Sequence, residues 1–328
     1  MKRLISVLLL LSMCSCLAAC TGRDDAYSER TFFVMDTAFT LRIYDADANA
    51  DAHFSAVLEL LGAIDTALSR TKGESDIARI NQDRAAGDLS PHTIEVLTVA
   101  REAMERTQGA YLPTMGAVSD LWKQAENTGE LPDSAQLSLA LESARKGFSL
   151  ENGVCTLLGE GALLDLGGIG KGYAADCVLA YLREAGVGGA LLSFGSSVAT
   201  LGEKGDGSPF RISLRHPRNT TATVGALTDP SGVLSVSGDY ERYVTVGNVQ
   251  YHHILDPESG YPAHAGLASV AVLCESGAWS DALSTAFFVM GREKAERFLA
   301  ANSFDVQAVF ITPDGETSVT SDLSFSAE

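Results

Sequence analysis

Three short segments of the 328-residue chain gather the groups that chemistry needs. The densest is Asp165-Leu-Gly-Gly-Ile-Gly-Lys-Gly-Tyr-Ala-Ala-Asp176, where Gly167, Gly168, Gly170 and Gly172 surround Lys171 and Gly161 lies just upstream. Glycines bare the main chain, so N–H groups, a helix N-terminus and a lysine can converge on one anion, as phosphate sites require. The frame is not a P-loop, since G-x-x-x-x-G-K-S/T would place Gly at Asp165 and Ser or Thr at Gly172. Nor is it G-x-G-x-x-G, because Tyr173 occupies the last glycine position. A different phosphate or nucleotide cradle is implied.

The second segment, Ser280-Asp281-Ala-Leu-Ser284-Thr285-Ala286, opens an apolar helix. Asp281 and Thr285 are four residues apart, so their oxygens share one helix face. Two hard oxygen donors suit Mg²⁺, which is commonly held by one or two protein groups together with substrate phosphates. Taken alone, Asp281 serves equally well as a helix N-terminal dipole partner; a nearby phosphate loop tips the reading toward a metal. The third segment is Tyr251-His252-His253-Ile-Leu-Asp256-Pro257-Glu-Ser-Gly260. Adjacent histidines on a strand point to opposite faces, so one of them at most serves a given site. His-x-x-Asp spacing can orient an imidazole as a general base, and it is also what two surface histidines before a turn look like.

Positioning these groups requires helices and hairpins in mixed order. Thr31 to Tyr44 alternates as a first strand, and Phe54, Val57, Leu58, Leu61, Ile64 and Leu68 recur at helical spacing. Ser90-Pro91 and Asp133 with Gln136 read as helix starts, with Gly109 and Gly147 as stops. Leu163 to Leu166 reads as a strand running into the glycine turn, followed by a helix over Tyr173 to Glu184. Strands are expected at Ala190 to Phe194, Phe210 to Leu214, Val233 to Val236, Tyr243 to Val246, Gln250 to Leu255 and Ala268 to Leu273. Gly247-Asn248 and Asp314-Gly315 mark tight hairpins, and Trp279 to Met290 and Glu293 to Ala301 mark helices. Hairpins alongside helices predict an α+β fold rather than a doubly wound parallel sheet.

The N-terminus reads as an export signal: Lys2 and Arg3, an apolar run from Leu4 to Leu11, then Leu17-Ala-Ala-Cys20. That pattern makes residues 1–19 a lipoprotein signal, Cys20 the acylated first residue, 20–30 a tether and 31–328 the working domain. The expected location is the cell membrane, lipid-anchored on the extracytoplasmic side. Loss of Lys2 and Arg3 leaves 22 basic residues against 42 acidic ones, a net charge of −20. Such a surface repels nucleic acid, so no nucleic-acid partner is expected and an anionic ligand must be captured by local geometry. Beyond the signal and Cys20 only Cys155, Cys177 and Cys274 remain, with no Cys-x-x-Cys pair, which argues against a disulfide framework or zinc site.

Taken together, these segments resemble the ApbE family of FAD:protein FMN transferases. The resemblance runs from Met35-Asp-Thr37 through Gly109-Ala-Tyr111, Asp165 to Asp176, Leu192-Ser-Phe-Gly195, Ser237-Gly-Asp-Tyr240 and His253-x-x-Asp256-Pro to Asp281-x-x-x-Thr285. It implies a T-fold-like α+β architecture of mixed antiparallel sheets packed with helices, with FAD in a cleft and Mg²⁺ at its pyrophosphate. Asp281 and Thr285 match the metal-ligand positions, with the Gly168 carbonyl and Ser284 as further candidates. Met35, Ala110, Tyr111, Leu112, Asp165, Lys171 and Leu255 align with FAD-contacting positions, and His253 occupies the family's histidine position. Three residues depart from the family pattern: Leu112 stands where aspartate is frequent, Thr71 where a tyrosine can contact the flavin, and Asp36 where glycine is usual.

The implied reaction moves FMN from FAD to a Thr or Ser hydroxyl of an acceptor protein and releases AMP. His253 would act as base, Asp256 would hold its segment and Lys171 would offset charge on the leaving group. The expected acceptor is a flavin-bearing protein with a Thr/Ser motif, such as a subunit of a membrane redox pump. An Mg²⁺-dependent FAD pyrophosphatase and a non-catalytic flavin-binding lipoprotein are the alternatives.

Overall fold

The computed structural model describes residues 27–44, 49–302, 304–320 and 323–327; the signal and Cys20 readings lie outside them. The chain opens with β1 (Ser28–Val34) and β2 (Thr37–Ile43), an antiparallel hairpin turning at Met35 and Asp36. The single strand expected over Thr31 to Tyr44 is therefore two. The buried positions explain this, for they shift from even (Phe32, Val34) to odd (Phe39, Leu41, Ile43) across the turn. Both turn residues sit at φ +53°, the left-handed region in which Met is strained.

Helix α1 (Ala50–Leu68) lays Phe54, Val57, Leu61 and Ile64 into the core. It is followed by α2 (Asp76–Asp83), the short β3 (Ala85–Ala86) and α3 (Pro91–Arg106), whose N-cap Ser90 accepts the Thr93 N–H. Next come α4 (Gly116–Thr128) and α5 (Ser134–Arg145), the latter capped by Asp133, which accepts the Ala135 and Gln136 N–H groups. Strands β4 (Phe148–Glu151) and β5 (Val154–Leu157) form a small sheet with β3, in which β5 lies between the other two. Leu163 to Leu166 is not a strand. Only Leu163 bridges, to Met115, because contact with residues 113–116 is limited to the Gly116 N–H on the Leu163 carbonyl and the Asp165 N–H on the Pro113 carbonyl, while the Asn81 side chain takes up both main-chain groups of Leu164.

Helix α6 (Gly170–Glu184) begins three residues before its sequence prediction and leads to β6 (Gly189–Phe194), β7 (Ser197–Gly202), β8 (Arg211–His216) and β9 (Asn219–Thr228). Then follow β10 (Gly232–Gly238), the hairpin β11 (Tyr243–Val246) and β12 (Val249–His252), and β13 (Ser269–Cys274). The strand expected to reach Leu255 thus stops at His252. Helices α7 (Gly277–Met290) and α8 (Arg292–Ala301), then β14 (Val306–Ile311), β15 (Thr317–Val319) and β16 (Phe325–Ala327), complete the chain.

The main sheet is antiparallel in the order β1-β2-β6-β7-β10-β13-β14-β15. Its core packs against α1, α3, α6 and α7, while the sheet β16-β9-β8 covers the other face through Leu214, Val224 and Leu227 against Leu234, Ala271 and Val309. The architecture is α+β, as the hairpin signals indicated. Helix α7 is pinned to the sheet by Ser280, whose Oγ accepts the Ser235 N–H at 3.0 Å and donates to the Val272 carbonyl at 2.7 Å. Among the described residues no helix is long and apolar enough to cross a membrane.

Helices α6 and α7 touch backbone to backbone. A Cβ at Gly172 would overlap the Gly277 carbonyl and stand 2.9 Å from Asp281 Cβ, and one at Gly277 would stand 2.9 Å from an Asp176 oxygen. Asp176 closes the contact, its carboxylate accepting the Gly277 and Ala278 N–H groups at 2.5 and 3.0 Å. Gly172→Ala is expected to cost about 1–3 kcal/mol, because the added methyl meets fixed main chain rather than a side chain that can turn away. A denaturant midpoint unchanged in that variant would refute the contact.

Candidate active site

The close approach of α6 and α7 forms one wall of a cleft of about 490 Å³, within the range of small-molecule sites. At its base, Leu166 turns the chain sharply, its carbonyl accepting the Ile169 and Gly170 N–H groups at 3.1 and 2.8 Å. Helix α6 then starts without a side-chain cap. Asp281, only 6% exposed, reaches across from α7 and its Oδ2 accepts the Gly172 N–H at 3.2 Å. Lys171 Nζ donates to the Gly167 carbonyl at 2.7 Å and stands 3.7 Å from Asp281 Oδ2. The glycine turn and the late helix, distant in sequence, thus share one corner.

Gly168 passes close to that corner, since a Cβ there would lie 3.3 Å from Thr285 Oγ1 and 3.4 Å from the Tyr111 ring. Asp165 is clamped: its Oδ2 accepts from Arg70 at 3.0 Å and its Oδ1 accepts the Gly167 N–H at 3.0 Å, while Arg70 also pairs with Asp120 at 2.7 Å. Tyr111 is buried and its hydroxyl has no hydrogen-bond partner among the described residues. Burial first, and then Asp281 and Asp165, hold that phenol well above its ordinary pKa, so it stays protonated as a donor.

The opposite wall is apolar. Leu112, Met115 and Trp122 from the α4 region meet Val244 and Tyr251 of the β11–β12 hairpin and Leu255. The Trp122 ring lies tilted against Tyr251 with centroids 4.9 Å apart, and its Nε1 donates to the Gly260 carbonyl at 2.7 Å. Leu112, where the resemblance made aspartate frequent, extends this apolar surface. Ala110 also lines the cleft.

His253 faces the cleft just past β12. Its Nδ1 lies 3.1 Å from the Arg242 carbonyl; a carbonyl only accepts, so Nδ1 carries the ring proton and Nε2 keeps a free lone pair. Solvent reaches the ring from the cleft mouth, yet the desolvating wall, aided by the cations of Arg242 and Lys171 against the bond to the Arg242 carbonyl, lowers its pKa to about 4. The imidazole is therefore unprotonated at neutral pH. A titration of its C2–H resonance is expected to find it still neutral at about pH 5.5, well below an ordinary histidine. A midpoint near 6.5 would refute this environment.

His252 also borders the cleft, but its Nε2 is taken up in donating to the Ala263 carbonyl at 3.1 Å and its ring stands edge-on to Phe288. Three other candidate residues fall outside the cleft lining. Met35 packs behind it, its Cε 3.3 Å from where a Cβ of Gly170 would stand. Asp256 does not orient His253, because its carboxylate is consumed in its own turn by the Glu258 N–H at 2.8 Å and the Ser259 hydroxyl at 3.1 Å. That turn buttresses the apolar wall, with Arg145 donating to the Pro257 carbonyl at 2.9 Å. Ser284 is fully buried, its hydroxyl donating to the Asp281 carbonyl at 2.9 Å. Thr71 bonds Ser69 in the loop after α1.

Sequence reasoning missed Arg70, Trp122, Ser237 and Arg242. Arg70 and Trp122 lie in segments without a motif, and only Ser237 belonged to a pattern, Ser237-Gly-Asp-Tyr240, that could have singled it out.

The sequence profile described as the ApbE family matches residues 35–310. An FAD:protein FMN transferase of Klebsiella pneumoniae strain 342 is 32% identical over 287 residues, covering 85% of this chain and 87% of its own. Another, of Treponema pallidum strain Nichols, is 32% identical over 324 residues, covering 90% and 88%. The crystal structure of the ApbE protein from Thermotoga maritima is similar with a TM-score of 0.81 at 29% identity, over 90% of this chain and 97% of its own.

Proposed function

This chain belongs to the ApbE family, and from that membership we propose that it is an FAD:protein FMN transferase working in the cleft just described. The observation that carries the reading is the meeting of Lys171 Nζ and Asp281 Oδ2 at 3.7 Å in the same cleft as a neutral imidazole. An anion cradle, a carboxylate and a base are the parts that transfer from a pyrophosphate to an alcohol needs.

The acceptor is a Thr or Ser hydroxyl of another protein. Its oxygen forms a bond to the FMN phosphorus as the bond to the AMP oxygen breaks, and its proton passes to His253 Nε2. AMP leaves, and Lys171 stabilises the charge that gathers on it. The Arg242 carbonyl keeps the imidazole in the tautomer able to accept that proton. The apolar wall holds a flat ring, and the Trp122 bond to Gly260 fixes that wall in place.

The described residues contain no group of three or more His, Cys, Asp or Glu that would form an all-protein metal cage. Mg²⁺ does not need one, because it keeps waters and takes phosphate oxygens besides one or two protein donors. Asp281 and Thr285 offer hard oxygens on one side of the corner and glycine opposite leaves the space open, so the donor set fits. They would hold Mg²⁺, with the Gly168 carbonyl as a third donor; the ion would neutralise phosphate charge. We further propose that residues 1–19 are removed, that Cys20 carries lipid and that the enzyme works outside the cytoplasmic membrane on a flavin-bearing acceptor such as a redox-pump subunit.

Incubation with FAD, Mg²⁺ and a purified acceptor tests the assignment. Flavin fixed covalently to the acceptor, with AMP released, supports it. Free FMN with AMP and no labelled acceptor makes the protein an FAD pyrophosphatase, and intact FAD makes it a flavin-binding protein; either result overturns the transferase reading.

A further inference from the structure

From the cleft corner inward runs a chain of three hydroxyls, Thr285, Ser237 and the buried Ser284, whose direction is fixed at its inner end. Ser284 Oγ lies 2.9 Å from the Asp281 main-chain carbonyl, which can only accept, so the single Ser284 proton is committed there. The 2.8 Å contact between Ser237 Oγ and Ser284 Oγ must then be donated by Ser237. With the Ser237 proton committed as well, its contact to Thr285 Oγ1 at 3.4 Å is one that only Thr285 can donate.

Ser284 is fully buried, so water does not reach the end that fixes the order, and Ser237, though it borders the cleft, is only 9% exposed. Thr285 lines the cleft with its proton drawn away toward Ser237, which leaves lone pairs for whatever occupies the corner beside Asp281. Reversed, the same chain would push a hydroxyl proton into the cleft, an arrangement suited to an anion and hostile to a cation. A carboxylate and a polarised hydroxyl presented side by side form an electron-pair-donating corner for a divalent ion.

We propose that Ser284 and Ser237 are positioning residues that set the polarity of the Thr285 hydroxyl, and thereby select a divalent cation at this corner. The inference rests on the transferase reading for the presence of such an ion. Ser284 then acts through Ser237 and Thr285 and never touches the metal, which differs from the ligand role the sequence suggested for it.

Mn²⁺ serves as the probe, with free ion counted by electron paramagnetic resonance against the full-length protein in the presence of FAD. Ser237→Ala is expected to weaken Mn²⁺ binding by about 10- to 100-fold, the usual cost of losing an outer partner of a metal ligand. Ser237→Thr, which keeps the hydroxyl, should bind nearly as the native protein does. Ser284→Ala, which strips Ser237 of its acceptor and frees its proton toward Thr285, provides an independent arm should Ser237→Ala fold poorly; a loss of similar size is expected. Native-like Mn²⁺ affinity in a folded Ser237→Ala or Ser284→Ala variant overturns the inference. If instead the native protein binds no Mn²⁺, or Asp281→Ala binds it equally well, the metal corner itself is wrong and the inference falls with it.

Discussion

Replacing His253 with alanine abolishes flavin transfer while FAD still binds: this is the outcome expected from a base that stands apart from the anion cradle. General-base catalysis is worth roughly 10²–10⁴-fold, and an alcohol is a poor nucleophile without it. The ring enters on the β12 side of the cleft, whereas Lys171, the glycine turn and the donors of α7 come from other elements, so truncating the ring leaves the ligand's contacts there intact. Fluorescence of flavin retained on the denatured acceptor measures transfer, and quenching of FAD emission measures binding. A variant that transfers at the native rate removes His253 from the mechanism. One that loses FAD as well assigns it to binding.

Asp281→Ala should lower turnover by about 10²–10³-fold, the scale set by removing a preorganised electrostatic group from a reaction centre. The carboxylate is buried, accepts the Gly172 N–H and stands beside Lys171. Its loss removes the carboxylate that faces Lys171 and leaves a buried N–H without its partner. Asp281→Asn separates these effects, since an amide oxygen can still accept from Gly172 while the charge is gone. If both variants lose turnover and its dependence on Mg²⁺ while Asn alone preserves thermal stability, the charge is the functional element. Native Mg²⁺ dependence in either variant would end the ligand assignment.

The segments that matter were legible to different degrees for physical reasons. Capped helices announced themselves, because Ser90 and Asp133 satisfy main-chain donors wherever they stand. The pairing of the glycine turn with α7 was readable only as two suggestive composition patterns. What joins them is a backbone approach at Gly172 and Gly277 that no periodicity encodes. Met35 hid the turn, because Met is not a usual residue for left-handed backbone, although Asp36 beside it is. His-x-x-Asp suggested a dyad, but a carboxylate two residues from an available N–H closes on its own loop before it reaches across to an imidazole. Arg70 and Arg242 were unreadable, since each works through contacts set by tertiary packing alone.

The order of the main sheet sets when a cleft can exist at all. Phe39 pairs with Phe194, Val233 with both Ala199 and Cys274, and the corner closes only when Asp281 arrives from α7. Contacts between such remote stretches form late in folding, because long loops must close before any of them is rewarded. A nascent chain released before residue 277 therefore carries the glycine turn with nothing to set it against. A ligand held at that corner would stabilise completed molecules and no others. Completion of the corner thus waits on the last sixth of the chain, and a product that stops short of it lacks the carboxylate that faces Gly172.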